Sequence, residues 1–391
     1  FNVTGNVEKG IKVHIVGGKG KDETEDDSQV SGIARKTIVY DDTLKTRVVT
    51  SNETRKVLSI VPEKYSYNYY AFNYNKFIPL VYSGYNIDDG IFLGGGFTYK
   101  TYDFMKNPFA AYHKFLMQYS FSTDAKELTY YGIYTEVLRN LDMHLKLHVR
   151  DPKYTQNYFG PGNETVKSNY GRDYNRVRIG EYYLNPELSY SFNSRTMFSA
   201  GPFYQNSRVE ETPDRYISDL TTNGLDPGIF KRKEFLGISA GFAHDSRNNT
   251  VFPTRGIYWE ARNQFFYGLT GSEYSFNRIK GEISVFVSPW KSAGYVAAFR
   301  LGGALNAGDY EFFQANTLGG RYNLRGYLDS RFSGYASLYQ NTDLRIKLSK
   351  VKSYATRGYI GVILFNDIGR VWQKSEDSQK WHHGYGVKEV Y

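Results

Sequence analysis

The chain has 391 residues, with 37 Tyr and 26 Phe against 4 Trp, and this abundance of aromatic side chains favours β-strands. Its formal net charge is +9, but the basic residues are mixed with 40 acidic ones through the whole chain, which argues against a nucleic-acid-binding surface. No run of about 18 apolar residues occurs, which excludes a transmembrane helix but not a membrane barrel, because barrel strands alternate in polarity.

Residues 1–68 predict a short β-rich segment that is not a complete domain of its own. Its apolar pieces are short and separated by polar loops: IKVHIV, RKTIVYD and RKVLSIV. Residues 17–25, GGKGKDETE, resemble one copy of a calcium-binding Gly-rich nonapeptide repeat. A single copy is more typical of a tight turn in front of an acidic loop, and calcium binding stays open as the alternative. We expect the segment to be a connector that follows an upstream domain.

From residue 69 onward the segments become longer, and the clearest of them is LDMHLKLHVR at 141–150. On a helix, residues two apart point about 200° from each other, so the charges would be scattered; on a strand they share one face. The apolar face is Leu141, Met143, Leu145, Leu147 and Val149, and the charged row is Asp142, His144, Lys146, His148 and Arg150. We predict that the apolar face meets lipid and that the charged row lines a wet lumen.

The same pattern predicts fourteen strands in the rest of the chain. They lie at 69–80, 90–101, 112–122, 127–138, 141–150, 176–192, 195–210, 234–245, 256–267, 274–287, 294–305, 338–350, 358–371 and 384–391. A soluble sandwich also alternates, but its strands average about 5–6 residues, whereas bilayer-spanning strands need about 9–11. The short turns Arg139-Asn140 and Asn193-Ser194 alternate with long loops at 151–175, 212–233 and 306–337, as at the two ends of an outer-membrane barrel.

We therefore predict an all-β fold: a transmembrane antiparallel β-barrel at 69–391, preceded by the β-rich connector at 1–68. Single-chain bacterial barrels close with an even number of strands, because an open edge in lipid would leave backbone groups unpaired. The intact protein is expected to have about 16 strands. The last strands are then missing here, and the fourteenth is cut at Tyr391.

Four motifs follow one another in the barrel region. They are NYFGPGNET at 157–165, DSRNNTVFPTRG at 245–256, LGGRYNLRGYLD at 318–329 and Phe365-x-Asp367-x-Gly369. An Arg-Gly pair in a loop is by itself usually a solvated turn. In this order, however, the motifs resemble those of the BamA-like outer-membrane assembly factors and two-partner-secretion transporters. That superfamily has a hydrophobic-Arg-Gly-aromatic tip on its sixth extracellular loop and a Phe-x-Asp-x-Gly strand motif.

The resemblance implies that this loop folds back into the barrel, where its Arg meets inward-facing carboxylates. The residues of the implied loop–barrel lock are Arg325, Gly326, Tyr327, Asp343, Phe365, Asp367 and Gly369. Arg325 would pair with Asp367 and, as a second partner, with Asp343. A guanidinium suits this role because it makes forked, charge-assisted bonds to carboxylates and stays charged. The alternative for Asp343 is an ion pair with Arg345 or Lys347 within the charged wall.

The upstream segment departs from typical members, because no periplasmic transport-associated repeat is visible in it. With IKVHIVGGKGKDETE it instead resembles the connector of Bacteroidota proteins that join a metallophosphoesterase-like domain to this barrel. The resemblance implies a location in the bacterial outer membrane, with residues 1–68 in the periplasm. The implied partners are outer-membrane lipid and lipopolysaccharide, unfolded outer-membrane protein clients, and accessory outer-membrane or periplasmic proteins. The resemblance implies no cofactor.

Neither catalysis nor a metal site is expected within these residues. His144 and His148 are four apart on one strand, too far for a tight metal pair, and the adjacent His244 and Asp245 point to opposite faces. The chain has no Cys, and no Ser sits in a nucleophile elbow, because the Gly-x-Ser-x-Gly match at residues 237–241 lies inside the predicted strand 234–245 and not at a strand-to-helix turn. The expected function is insertion or translocation of polypeptides at the outer membrane. The alternatives are a membrane anchor and export barrel for an upstream metallophosphoesterase-like domain, or a passive pore.

Overall fold

The computed structural model of the chain describes most of its residues. They are 1–7, 13–18, 20–30, 37–44, 46–50, 54–60, 62, 65–67, 73–138, 140–166, 170–171, 173–219, 225–289, 294–352, 357–374 and 376–390. The predicted boundary between residues 68 and 69, residue 19 of the nonapeptide-like stretch, Arg139 of one predicted turn, and Tyr391 lie outside them. Among the described residues, no helix is long and apolar enough to cross a membrane.

Residues 2–59 form short strands that stack in parallel. They are β1 (Asn2–Val3), β2 (Asn6–Val7), β3 (His14–Val16), β4 (Glu23–Asp26), β5 (Gln29–Val30), β6 (Ile38–Asp42), β7 (Arg47–Thr50) and β8 (Arg55–Ser59). The pairing orders are β1-β4-β7, β2-β5 and β3-β6-β8. Paired residues are 23 or 24 positions apart in most of these pairs, so successive coils of chain lie on one another as in a solenoid. The β-rich segment was predicted, but its coiled stacking was not.

This N-terminal solenoid packs against two turns of the larger sheet. Tyr40 and Val57 of the solenoid form a buried cluster with Met105, which lies between two long strands. The ring of Phe104 lies 4.4 Å from the ring of His14, measured between centroids. At a second turn, Asn140 Nδ2 donates a hydrogen bond to a backbone oxygen of β8, at 2.8 Å. Apolar burial and this hydrogen bond together hold the solenoid against the sheet.

The strands after the solenoid belong to one large antiparallel sheet or to its loops. They are β9 (Lys76–Asn86), β10 (Gly90–Thr101), β11 (Ala111–Ser120), β12 (Ala125–Leu138), β13 (Leu141–Arg150), β14 (Thr155–Asn157), β15 (Arg176–Ser191), β16 (Thr196–Val209), β17 (Lys233–Asp245), β18 (Gly256–Thr270), β19 (Ser275–Val287), β20 (Tyr295–Gly308), β21 (Asn316–Leu318), β22 (Phe332–Gly334), β23 (Ala336–Lys352), β24 (Arg357–Trp372) and β25 (His382–Val390). The helices are short: α1 (Gly320–Asn323) and the 3₁₀ turns Tyr216–Ser218, Pro227–Phe230 and Phe312–Gln314.

Apart from the short loop strands β14, β21 and β22, each of these strands pairs with its neighbours along the chain, from β9 to β25. Within the described residues β9 and β25 do not pair with each other, so the barrel is not closed between them. Every predicted strand overlaps an observed one, and the bounds of β10 and β13 are those predicted. The all-β, antiparallel barrel class is therefore confirmed.

The first long strand was misplaced by the prediction. It was expected at 69–80, whereas β9 spans Lys76–Asn86. The chain turns only after Asn86, whose side chain accepts a hydrogen bond from the backbone nitrogen of Asp88, and Gly90 follows with a φ of +75°. The small residues Ser83 and Gly84 interrupt the apolar alternation after Leu80, and the predicted strand therefore ended at residue 80, before the end of β9.

The two faces of the large sheet differ in polarity, as the alternation predicted. Glu187 of β15 lies 3.5 Å from Lys146 of β13 and also pairs with Arg262 of β18. Side chains of strands this far apart meet only on the concave side of a curved sheet, so this face lines the lumen. The outer face exposes large apolar side chains, among them Val81, Ile238, Phe265, Tyr267 and Leu305. Such a surface suits lipid.

The connections at the two ends of the sheet differ in length. The long ones, at 151–175, 210–232 and 309–335, all lie at one end, because each follows a strand that runs away from the start of β9. The opposite end carries the solenoid and shorter turns such as 192–195 and 246–255. The barrel therefore has a long-loop end and a solenoid end.

Candidate functional site

The connection between β20 and β23 turns into the lumen and packs against its wall. Leu318 and Leu324 of this inner loop are fully buried, together with Phe332 and with Val371 of β24. Fully burying side chains of this size contributes about 1.5–3 kcal/mol each. The loop turns at Gly319, whose φ is +131° and where an added Cβ would lie 2.1 Å from a backbone oxygen. Only glycine fits such a position.

Arg325, at the tip of the inner loop, binds two carboxylates of the barrel wall. Its Nε and Nη2 donate to the two carboxylate oxygens of Asp367, at 2.7 and 2.5 Å, and its backbone nitrogen donates to Asp367 as well, at 2.9 Å. Nη2 also donates to Asp343, at 2.8 Å. Asp367 has no exposed surface. This is the forked geometry in which a guanidinium binds carboxylates most strongly.

The strand that follows leaves room for this loop because of a glycine. An added Cβ on Gly384 of β25 would lie 1.9 Å from the backbone oxygen of Arg325. Phe365 of β24 completes the site, since its ring centre lies 4.0 Å from the guanidinium carbon of Arg325. A cation over an aromatic face contributes about 0.5–2 kcal/mol. Arg325 thus contacts two carboxylates and an aromatic ring through its side chain, and its backbone packs closely on Gly384.

Asp343 also has the neighbour that the alternative interpretation named. Arg345 Nη2 lies 3.5 Å from Asp343, a longer distance than that to Arg325. The ammonium group of Lys347 lies instead over the ring of Tyr359, 4.7 Å from its centre. Burial lowers the pKa of Arg325, but its hydrogen bonds to Asp367 and Asp343 outweigh burial and raise that pKa above its usual value. The Arg325 charge is therefore permanent.

The remaining residues of the implied lock surround the Arg325 tip. Gly326 has a φ of +92°, and the ring of Tyr327 contacts those of Phe332 and His382, with centroids 5.3 and 5.8 Å apart. Gly369 leaves space for the inner loop, because an added Cβ there would lie 3.0 Å from a Leu318 carbon. The structure thus brings all seven residues named from the resemblance into one region.

A second loop reaches across the long-loop end to the same strand. The Asn163 side chain donates to the backbone oxygen of Val371 at 2.7 Å and accepts from its nitrogen at 3.1 Å, as a neighbouring strand would do. The carboxylate of Glu376 accepts hydrogen bonds from the backbone nitrogens of Asn163 and Glu164, at 2.7 Å each. Residues 157–165 and 371–376 therefore form a clasp between connections that lie far apart in sequence.

The clasp is joined to the inner loop through Arg331. Its guanidinium lies between two rings, 4.6 Å from the centre of Phe159 and 4.7 Å from that of Phe332. It also donates to the hydroxyl of Thr165, at 2.6 Å. Gly162 adds a backbone hydrogen bond to Ser333, at 2.7 Å. Three of the four sequence motifs thus meet at this end of the barrel.

The remaining motif, at 245–256, lies at the solenoid end. Asp245 pairs there with Arg247, at 2.7 Å, and the Asn248 side chain closes the turn with hydrogen bonds to Thr254. Sequence reasoning missed Glu376, because a single acidic residue in a loop carries no pattern. Asn163 lies inside a recognised motif, but its contact with a strand more than 200 positions away leaves no local signal.

The predicted charged row lies on the lumen face of β13, where each member has a partner. Asp142 accepts from the backbone nitrogen of Glu136, and His144 meets the Tyr131 hydroxyl at 2.9 Å. The ion-pair distances are 3.5 Å for Lys146 to Glu187, 2.6 Å for His148 to Glu127 and 4.0 Å for Arg150 to Glu181. Among the described residues no group of three or more His, Cys, Asp or Glu could hold a metal ion.

The sheet of this chain has an apolar outer face, a polar lumen and an inner loop bound to its wall. These features are typical of a class of outer-membrane barrels. Comparison with protein families matches residues 121–388 to the Omp85 superfamily domain, which is more than half of the chain. The chain belongs to the Omp85 superfamily. Barrels of this superfamily reside in the outer membrane and are transporters or insertases, not enzymes. No sequence among the curated proteins matches the chain.

Solved structures of two outer-membrane proteins are similar to this one. BamA from Haemophilus ducreyi, lacking POTRA domains 1–3, has a TM-score of 0.58 and 14% identity, over 88% of this chain and 66% of that one. CdiB from Escherichia coli has a TM-score of 0.52 and 13% identity, over 81% of this chain and 56% of that one. The chain thus spans less than two thirds of either protein. At these identities the likeness shows the fold.

Proposed function

We propose that the chain is the barrel of a device that inserts or translocates polypeptides at the outer membrane. Membership of the Omp85 superfamily, over residues 121–388, is the observation that carries this proposal. In such a device a client strand or the lipid phase would meet the barrel at the seam between its first and last strands. Its partners would be unfolded outer-membrane proteins, accessory proteins, and the lipid and lipopolysaccharide around it.

In this proposal the Arg325 site acts as a loop–barrel lock. The inner loop occupies the lumen, and its bonds to Asp367 and Asp343 fix it to β24 and β23. A fixed loop would keep these strands in one arrangement while clients are inserted. The long-loop end then faces outward and the solenoid end faces the periplasm, with residues 1–68 as connector and 69–391 as barrel.

Depletion in cells tests this function. The strain should lose many outer-membrane proteins when the gene product is depleted, and the wild-type chain, in its natural full-length context, should restore them. Arg325→Ala should restore them less well, whereas Arg321→Ala, an exposed arginine of the same loop that contacts Tyr322, should restore them fully. Unchanged levels of outer-membrane proteins after depletion would contradict an assembly role.

A second candidate function is that of a membrane anchor and export barrel for an upstream domain. It is favoured by the solenoid, which packs on the barrel through Tyr40, Val57 and Met105 and so connects an upstream segment to it. The upstream domain would be the metallophosphoesterase-like domain implied by the sequence. In this case depletion should remove one attached activity from the envelope and leave other outer-membrane proteins at normal levels.

A passive pore is the least supported of the three functions, because the inner loop lies in the lumen. Leu318, Leu324 and Arg325 pack against its wall, which narrows the path for ions and solutes. Planar bilayers should show small or irregular conductance with the wild-type protein. Steady conductance of a large, open channel would favour the pore instead.

A further inference from the structure

A cavity of about 370 Å³ opens at the long-loop end, apart from the Arg325 site. Five connections form its wall, those that follow β13, β16, β18, β20 and β24. Its volume is at the lower end of the range of about 300–1,000 Å³ that small-molecule sites occupy. Sites built by several loops on a rigid sheet are typical of ligand binding.

The wall of the cavity is rich in aromatic rings. The aromatic residues are Tyr158, Tyr274, Tyr310, Phe312 and Tyr335. Tyr158 and Phe312 are fixed by packing on each other, with ring centres 4.8 Å apart, while Tyr274 is 42% exposed. Aromatic faces carry negative partial charge and attract polarised C–H groups. The tyrosine hydroxyls can donate and accept hydrogen bonds.

The polar side chains of the wall offer both kinds of hydrogen-bonding group. The Oε1 atom of Gln373 is buried and has no hydrogen-bond partner among the described residues. A buried acceptor without a partner is unfavourable, so a donor from a ligand would stabilise this place. Asp309 and Lys374 are exposed and add an acceptor and a donor of opposite charge. Their charges balance, which favours a neutral ligand over an ion.

We propose that this cavity binds a carbohydrate, with one or two pyranose rings of a glycan inside it. A pyranose has a face of C–H groups, which suits aromatic rings, and a rim of hydroxyls that donate and accept hydrogen bonds. An acyl chain would leave Gln373 and Asp309 without partners, and a phosphate would meet the Asp309 carboxylate. The glycan can be a free saccharide or the sugar part of a surface lipid. The proposal goes beyond polypeptide insertion and does not depend on it.

Saturation-transfer-difference NMR tests the proposal on the full chain in lipid nanodiscs, prepared without glycoside detergents that would occupy the cavity. The probes are the methyl glycosides of glucose, galactose and N-acetylglucosamine, and the water-soluble core oligosaccharide released from lipopolysaccharide. Wild-type protein should transfer saturation to ring C–H protons of at least one probe. Transfer to the methyl glycosides supports a general saccharide site, and transfer to the core oligosaccharide alone supports recognition of a surface lipid.

Two variants of the wall and one control locate the site. Tyr274→Ala and Gln373→Ala should each reduce the transfer at least about fivefold, which corresponds to about 1 kcal/mol. Tyr170→Ala, an 83% exposed tyrosine at the same end but outside the cavity, should leave it unchanged. Heat-modifiable gel migration checks that each variant forms a barrel. No transfer from wild-type protein to any probe, or transfer undiminished in both wall variants, would overturn the proposal.

Discussion

At the scale of single residues, the site depends on one arginine and one buried carboxylate. Asp367 has no exposed surface, and the side chain and the backbone nitrogen of Arg325 supply the hydrogen bonds that water cannot give it there. Hydrogen bonds to charged groups contribute about 1.5–3 kcal/mol each, and removing one partner of a buried pair is destabilising by about 3–5 kcal/mol. The position of the inner loop should therefore respond strongly to changes at this pair.

Substitution Arg325→Ala should release the inner loop and leave the barrel folded. The barrel keeps its strand pairing, but Asp367 loses its cation and Asp343 keeps only the longer contact to Arg345, so the loop becomes accessible to proteases. Arg325→Lys keeps the charge without the forked geometry, so the rate of protease cleavage in the loop should lie between those of the wild type and Arg325→Ala. Limited proteolysis with mass spectrometry of the loop fragments measures this. Cleavage in Arg325→Ala at the same rate as in wild type and in the Arg321→Ala control would show that the pair does not hold the loop.

Gly384→Ala should weaken the same site from the opposite side. The added methyl group would lie 1.9 Å from the backbone oxygen of Arg325, so either the loop or β25 must move. Gly358→Ala on the adjacent strand is the matched control, because no atom of the described residues lies within 4 Å of an added Cβ there. We expect faster loop proteolysis for Gly384→Ala alone. Equal rates in both variants would mean that the close approach at Gly384 is unimportant.

At the scale of elements, two connections that are distant in sequence stabilise the end of β24. Asn163 occupies the hydrogen-bonding position of a neighbouring strand beside Val371, and Glu376 fixes the backbone on which Asn163 lies. The clasp therefore links the 151–175 connection to the β24–β25 hairpin. Movement of that hairpin requires these bonds to break first.

Asn163→Ala should loosen the β24–β25 hairpin specifically. The substitution leaves the backbone nitrogen and oxygen of Val371 buried without these hydrogen-bond partners. Each unpaired group is expected to destabilise the folded state by about 1–3 kcal/mol. Hydrogen–deuterium exchange of peptides covering 365–380 should become faster. In Asn193→Ala, where the substituted Asn closes a short turn at the solenoid end, exchange of these peptides should stay at the wild-type rate. No acceleration in Asn163→Ala would mean that the clasp is not structural.

The solenoid is held to the barrel by a small apolar contact. Phe104→Ala removes a ring that packs on His14, Tyr40 and Tyr67. We expect the substitution to weaken the packing of the solenoid on the barrel by about 0.5–3 kcal/mol. Exchange of peptides covering 37–58 should become faster, while Phe109→Ala in the same turn should not change it, since that ring lies near Lys100 and Tyr112. Unaltered exchange in Phe104→Ala would show that the solenoid is held by other contacts.

The sequence predicted these elements unevenly, for a physical reason. Strands such as β13 were predicted to the residue, because lipid on one face and water on the other impose a period of two on the chain itself. The parallel stacking of residues 2–59 was missed, because pairing 23 or 24 positions apart leaves no local period. Arg325 was associated with Asp367 through the family resemblance, and alternation only placed Asp367 on the inner face.

At the scale of the whole molecule, the barrel wall separates an apolar outer face from a polar lumen. The outer face exposes apolar side chains and the inner face carries ion pairs such as Lys146 to Glu187, while the inner loop fills part of the lumen. A Lys or Arg turned toward lipid at mid-depth would cost about 2–4 kcal/mol, which fixes the register of every strand. The lock, the clasp and the glycan cavity all depend on this arrangement, because they lie inside or on top of the curved sheet.

Collision accessibility of nitroxide labels, placed one at a time along residues 141–150 in lipid bilayers, tests this arrangement most directly. The chain has no Cys, so each introduced Cys is labelled alone. Labels at Leu145 and the other odd positions should collide mainly with oxygen dissolved in the lipid. Labels at Lys146 and the other even positions should collide mainly with a water-soluble nickel complex, which gives a period of two. Equal accessibility at odd and even positions, or odd positions shielded from both reagents, would contradict the membrane barrel.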